Sequence, residues 1–164
     1  MESELAFFNG VKTGVSISGI LAFLILLIST KNILVALYAL KSVFFIVMCV
    51  VAIMVIQGWQ LGVSESIAMV IVIGFSVDYV VHLAAHYVHC TAPSRWEKST
   101  EAVTAMGVSI FSGAMTTLGS GVFLFGGTVI FFQKFALIIT STVIFSLGYA
   151  LIYYLAFMHA FGPN

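Results

Sequence analysis

Asp78 is the residue of this sequence whose chemistry most needs an explanation, because it lies within a long apolar segment. The stretch 66–94 contains no other Asp, Glu, Lys or Arg. An ionisable side chain at the centre of a bilayer costs at least ~2.5–3.5 kcal/mol, and such residues generally face the bundle interior or water and serve a function. We therefore predict a functional Asp78; the alternative is a buried acid that only hydrogen-bonds a neighbouring helix.

The residues around Asp78 form a polar stripe at helical spacing. Gly74, Asp78, His82 and His86 follow one another at four-residue intervals, and His89 lies three residues further on. Residues four apart share one face of a helix. An imidazole such as that of His82 can exchange a proton with a nearby carboxylate, whereas Gly74 allows another helix to approach closely. We interpret His86 and His89 as interfacial anchors.

A second polar stripe lies in the fourth apolar segment. Its small and hydroxyl-bearing residues are Ser109, Ser112, Gly113, Thr116, Thr117, Gly119, Ser120 and Gly121. Such a face packs closely against another helix and can hydrogen-bond across the contact. The functional hypothesis is that Thr116 or Thr117 reaches Asp78 and tunes its protonation, with Gly113 as a point of close approach. Plain helix packing is the alternative.

The composition indicates whether water or lipid surrounds the helices that carry these stripes. Of the 164 residues, 62% are hydrophobic and 7% are charged, and the mean hydropathy is +1.18. Soluble domains are about 45–50% apolar and about 25% charged, so most of this chain must lie in lipid. The same numbers exclude a disordered chain and a nucleic-acid binder with a basic surface.

Motifs for catalysis or cofactor binding are absent from the sequence. It has no Gly-rich phosphate loop, no paired-Cys zinc motif, no nucleophile elbow and no His-Glu metal set within the apolar segments. Cys49 and Cys90 lack metal-ligand spacing, and we expect both to be packing residues. We therefore predict no catalytic residue, cofactor or metal, and hence no enzyme.

The charged residues divide the chain into segments long enough to cross a bilayer, which takes about 20 apolar residues per helix. Their runs do not alternate apolar and polar residues as barrel strands do. The predicted fold is all-α: a bundle of five transmembrane helices over about 13–30, 33–56, 65–89, 107–130 and 134–160. An amphipathic lead-in is predicted over 1–12, and a short surface helix over about 95–105, with Ser94 as its N-cap.

The basic residues near the segment ends predict the orientation of this multi-pass membrane protein. One side carries Lys31, Arg95 and Lys98, with Lys41 if it reaches outward from the second span, and the other carries Lys12 and Lys134. Because cytosolic loops are enriched in Lys and Arg, this difference favours a cytosolic C-terminus.

The run Ile73-Gly74-Phe75-Ser76-Val77-Asp78-Tyr79-Val80-Val81-His82 resembles the tenth transmembrane helix of the Resistance-Nodulation-Division superfamily. It is most similar to the branch that contains Patched, Dispatched and the Niemann-Pick sterol transporter, in which Gly, an acid and His recur at these spacings. Ala102 to Gly107 and Ser112 to Gly119 resemble the connector and the eleventh helix. Gly58 to Ser66 resembles the link before the tenth helix, and Phe161-Gly162-Pro163 the ending of the twelfth.

The resemblance implies that the five spans are helices eight to twelve, half of the membrane domain of such a permease. It implies coupling of a proton or cation gradient at Asp78 to movement of a sterol, lipid or other hydrophobic molecule, with His82, Thr116 and Thr117 adjusting that residue. An N-terminal half, in the same gene product or in a separate chain, is then the expected partner besides the bilayer. The alternative is a non-transporting structural subunit or scaffold of a larger membrane complex.

Overall fold

The computed structural model describes residues 2–59 and 62–162 of the chain. Its helices are α1 (Glu2–Thr30), α2 (Ile33–Ile56), α3 (Val63–His89), α4 (Arg95–Phe125) and α5 (Ile130–Gly148). A π-helical turn (Tyr149–Tyr154) continues α5 into α6 (Leu155–Phe161). Gln60, Leu61 and Pro163 lie outside the described residues, so the 57–62 link and the Phe-Gly-Pro motif are only partly described.

The predicted all-α fold is confirmed. Five helical segments are long and apolar enough to cross a membrane: Lys12–Thr30, Ile33–Ile56, Glu65–His89, Arg95–Phe125 and Ile130–Ala160. The described residues contain no β-strand. Large apolar side chains such as Ile28, Ile56 and Phe123 remain exposed on the outside of the bundle, as expected for surfaces that contact lipid.

Two helices begin at side chains that cap them through local hydrogen bonds. Between α1 and α2, Lys31 adopts a left-handed backbone (φ 49°), and Asn32 Oδ1 accepts a hydrogen bond from the Leu34 amide at 3.0 Å. Before α4, Ser94 Oγ accepts from the Glu97 amide at 3.2 Å, which confirms Ser94 as the N-cap. Each side chain satisfies an amide that the first helical turn leaves unpaired.

The predicted surface helix over 95–105 is not a separate element. Instead, α4 runs without a break from Arg95 to Phe125 and ends short of the predicted residue 130. Its buried positions include Ser99, Ala102, Ile110 and Ala114, which keep one helical face continuous across the expected break. The burial pattern therefore favours a single helix over two.

The lead-in predicted over 1–12 is likewise not separate in the structure. From Glu2 onward, this segment forms the first turns of α1. No proline interrupts it, and the helix therefore continues from the lead-in into the first span. The fifth span also begins earlier than predicted, at Ile130.

Helix α3 lies at the centre of the bundle and contacts α1, α2, α4 and α5. The larger apolar core surrounds its second half, where Val80 and Leu83 pack with Leu26, Ile46 and Tyr154. A smaller core at the other end joins α3 to α2 and α5 through Val50, Met54, Val72 and Ile138. The helix that carries Asp78 is thus held on several sides by its neighbours.

Candidate functional site

Asp78 and His82 form a carboxylate–imidazole pair on α3. Nε2 of His82 lies 3.5 Å from Oδ1 of Asp78, as the four-residue spacing on a helix dictates. The side chains are 61% and 57% exposed, for Asp78 and His82 respectively, so both project from the bundle rather than into its core. Asp78 also lies near the middle of the candidate span Glu65–His89.

A cleft of about 620 Å³ separates α1 from α3 beside Asp78. Ser18 and Asp78 supply polar side chains to its lining, which is otherwise apolar, with residues such as Leu21, Ile25 and Val81. The carboxylate therefore stands at the edge of a mainly hydrophobic space. A proton or a small cation that reached it through this cleft would meet an acid with an imidazole one helical turn away.

Neither threonine predicted to reach Asp78 contacts it in the structure. The Thr116 hydroxyl donates to the carbonyl of Ser112 at 2.9 Å, and the Thr117 hydroxyl donates to that of Gly113 at 3.0 Å. Hydroxyls within a helix commonly bond to the carbonyl four residues earlier, and this local partner satisfies the donor. Thr116 is exposed on α4 and Thr117 is half-buried, and neither hydroxyl donates to the carboxylate.

Tyr79, next to Asp78, lies close to α4. Its side chain is buried, in contrast to the exposed neighbouring carboxylate, and lies near the Thr117 hydroxyl. The four-residue stripe does not include Tyr79, because adjacent residues point about 100° apart on a helix. The structure thus brings Thr117 to the neighbour of Asp78 instead of to Asp78 itself.

The two glycines predicted as points of close helix approach have no such neighbour among the described residues. A Cβ atom added at Gly74 or at Gly113 would meet nothing within 4 Å. Both lie on the exposed faces of their helices, where close approach requires helices outside this chain. Within α4, Gly121 is the glycine that allows close packing, because an added Cβ would lie 2.6 Å from Oγ1 of Thr140 on α5.

The histidines further along α3 differ in their surroundings. His89 is exposed at the end of the helix, in keeping with an anchoring position. His86 is half-buried, and its Nδ1 atom is enclosed without a hydrogen-bond partner. Within the described ranges, no group of three or more His, Cys, Asp or Glu side chains is arranged to hold a metal ion.

An ion pair at the opposite end of α3 was not predicted from the sequence. Nζ of Lys134, at the start of α5, lies 2.6 Å from Oε1 of Glu65, and Glu65 is almost fully buried. The same ammonium lies 5.0 Å from the ring centroid of Trp59. Because 69 residues separate the two partners, no local spacing signals this contact; a carboxylate at the start of an apolar span was the available clue.

Cys90 has a more specific contact than the packing role predicted for it. Its buried thiol donates a hydrogen bond to Oε2 of Glu101 at 2.7 Å, between the end of α3 and the first turns of α4. The hydrogen bond to the carboxylate, reinforced by burial, raises the pKa of the Cys90 thiol. Cys49, in α2, lies 3.5 Å from the Tyr149 hydroxyl.

The fold and the exposed pair at mid-span define an integral, multi-pass membrane protein built from α-helices. No protein-family model matches the chain. It is 33% identical to Dispatched homolog 1 of Mus musculus over 113 residues, which are 69% of this chain and 7% of that protein. It is also 39% identical to Dispatched homolog 3 of Homo sapiens over 100 residues, 54% of this chain and 7% of the relative.

A third relative is the Niemann-Pick type C1-related protein of Toxoplasma gondii, 33% identical over 58 residues, 35% of this chain and 5% of that protein. The chain belongs to the Patched- and Dispatched-like branch of the Resistance-Nodulation-Division superfamily. It spans less than a tenth of the length of these curated relatives.

Proposed function

We propose that this chain forms the C-terminal membrane half of a Patched-like permease, helices eight to twelve, and that Asp78 is its ion-coupling residue. The complete assembly would move a sterol, a lipid or another hydrophobic molecule at the expense of a proton or cation gradient. The observation that carries this proposal is the position of Asp78: mid-span, more than half exposed, and paired only with His82 among the described side chains.

A bare carboxylate in hydrocarbon carries a high free-energy cost. At least ~2.5–3.5 kcal/mol is needed to place an ionised acid at the bilayer centre. Protonation or a bound cation removes much of that cost, and so does packing against a polar partner. The charge state of Asp78 therefore biases which helix packing is favoured, which is the requirement for coupling.

His82 and Tyr79 would link that charge state to the rest of the bundle. His82 lies on the same exposed face and can share a proton with Asp78. Tyr79 is buried near Thr117 in a core that includes residues of α4, so a movement of this part of α3 would be transmitted to α4. In this proposal Thr117 acts on the site through Tyr79, and Thr116 contributes to the outer surface of α4.

The open face of α3 needs a covering partner for this mechanism to operate. Transporters of this kind work by movement of one half against the other around a central site, and a single half cannot do this alone. We propose that an N-terminal half, in the same gene product or in a separate chain, packs against Asp78, Gly74 and Gly113. Purifying the native assembly tests this: co-purified or covalently joined helices resembling the first half support it, whereas an unrelated complex supports the scaffold alternative.

The decisive test of coupling is the Asp78→Asn variant in the full assembly, reconstituted into proteoliposomes. We expect this variant to lose substrate flux driven by a proton or cation gradient, because Asn cannot change its charge. The surface variant Glu97→Gln is the matched control and should transport normally. Thermal unfolding of all three proteins reports folding, and gradient-driven transport by a folded Asp78→Asn protein would contradict the proposal.

A further inference from the structure

A groove on the outer surface of the bundle lies between α1 and α2, and residues of α3 form its floor. Its volume is about 980 Å³, and apolar side chains such as Phe23, Val47 and Met69 make up most of the lining. Ser16 and Lys41 are its polar lining residues, and the Ser16 hydroxyl already donates to the carbonyl of Lys12. Lys41 is therefore the charged group of this groove.

Lys41 lies well inside the span formed by α2. At 1.5 Å per residue it is about 12 Å from the start of the helix, so its ammonium must extend toward the membrane surface to reach polar surroundings. The ammonium lies over the ring of Phe157, 5.1 Å from the centroid, and that ring packs edge-on against Tyr38 at 4.7 Å. An aromatic face holds the cation in place but does not neutralise it.

Lys41 forms no ion pair with an acidic side chain among the described residues, so its ammonium can bind an external anion. In the described part of the chain, the ion pairs join His82 to Asp78 and Lys134 to Glu65, and neither includes Lys41. Basic pockets between transmembrane helices bind acidic lipid headgroups. The groove continues from Lys41 along α1 and α2 toward Val15 and Val51, which gives an apolar surface for a chain attached to that headgroup.

We propose that this groove binds one phospholipid with a net negative headgroup, the headgroup at Lys41 and an acyl chain along α1 and α2. The lipid is a resident of the fold and not the transported molecule, so this inference is independent of the proposed function. At the same end of the bundle Lys31, Arg95 and Lys98 outnumber the two acids Glu97 and Glu101, and this positive balance favours an anionic over a zwitterionic headgroup.

The experiment measures lipid retained by the purified chain in native mass spectra. The protein is equilibrated with an equimolar mixture of dioleoyl-phosphatidylserine and dioleoyl-phosphatidylcholine, whose acyl chains are identical. We expect one phosphatidylserine in preference to phosphatidylcholine, and a preference about fivefold smaller in Lys41→Gln, the effect of one lysine near an anionic surface. Lys41→Arg should keep the preference, and so should Lys12→Gln, which removes a lysine at the opposite end of the bundle and outside the groove lining.

A second pair of variants tests the apolar part of the site without changing any charge. A Cβ atom at Gly19 meets nothing within 4 Å, and Gly19 lines the groove, so Gly19→Phe fills space intended for the acyl chain. Gly119→Phe on α4 is the matched control, because Gly119 is equally unobstructed and lies outside the groove. We expect lipid retention to fall in Gly19→Phe and to persist in the control.

Three results would overturn the inference. Equal retention of the two lipids by the unaltered chain would show that the groove does not select charge. Full retention by Gly19→Phe would place the lipid elsewhere on the surface. Displacement of phosphatidylserine by inorganic phosphate at millimolar concentration would show that Lys41 binds a free anion and that the acyl chain contributes nothing.

Discussion

The buried ion pair between Glu65 and Lys134 allows a quantitative test of how α3 is fixed to α5. We consider two single substitutions, Glu65→Gln and Lys134→Met, and the double variant Glu65→Leu/Lys134→Met. The Nζ–Oε1 distance is 2.6 Å, and the side chains are 4% exposed for Glu65 and 29% for Lys134. Removing one partner of a buried pair costs about 3–5 kcal/mol, whereas replacing both with apolar residues is often neutral or stabilising.

The difference in exposure predicts which single substitution is worse. Lys134→Met leaves an almost fully buried carboxylate without its cation, and we expect a loss of about 3–5 kcal/mol in the free energy of unfolding. Glu65→Gln leaves an ammonium that is partly exposed and still lies against the ring of Trp59, so we expect a smaller loss of about 1–3 kcal/mol. The double variant should lose less than Lys134→Met does alone.

Reversible unfolding in mixed micelles, titrated with sodium dodecyl sulfate, measures these differences. Trp59 fluorescence reports the contact directly when Trp96, the other tryptophan, is replaced by Phe. A matched surface control is Lys98→Met, which should change the free energy of unfolding by no more than about 0.5 kcal/mol. A loss in the double variant as large as the loss in Lys134→Met would show that the unpaired carboxylate is not what destabilises the single variant, and would refute the reasoning.

Two further predictions concern contacts of α4. The carboxylate of Glu101 raises the pKa of the Cys90 thiol. The hydrogen bond therefore stabilises the folded state at pH values below the ordinary pKa of a thiol, and this stabilisation is lost as the pH rises through the raised pKa. Glu101→Gln should shift the pH profile of iodoacetamide labelling to lower pH when Cys90 is the only cysteine; an unchanged profile would count against the contact. Gly121→Ala should lower the free energy of unfolding by about 1–3 kcal/mol, because its Cβ would lie 2.6 Å from Oγ1 of Thr140. The Thr140 side chain is short and stiff within a helix and cannot easily move away. Thermal unfolding beside Gly119→Ala, where space is open, measures this, and equal stability of the two variants would mean that the helices are not in close contact at Gly121.

Much of the fold follows from local features of the sequence. The turn at Lys31 and Asn32 and the cap at Ser94 depend on side chains that bond to amides two or three residues away. The same local chemistry does not show whether a helix continues. A solvated segment and an apolar span were predicted as two elements, yet one buried face unites them in α4. Tertiary burial decided between these two arrangements.

The candidate site likewise has one part that the sequence predicts and one part that it does not. Spacing on one helix is sufficient to place His82 beside Asp78, and the structure has this pair at 3.5 Å. Contacts between helices were not predictable from spacing: Thr117 lies near Tyr79, and Gly121 rather than Gly113 is the glycine of α4 that a neighbouring helix approaches closely. Small residues are common along α4, and the sequence does not indicate which of them faces a neighbour.

By itself the sequence determined that this protein crosses the membrane as helices and that an acid and an imidazole share one face of the third. Both properties depend on composition and on the helical repeat, which act over a few residues. Only the tertiary structure decided that this face is open and that Glu65 meets Lys134 across 69 residues of sequence. The physical reason is that such contacts depend on how whole helices rotate and pack, which each helix's own residues leave undetermined.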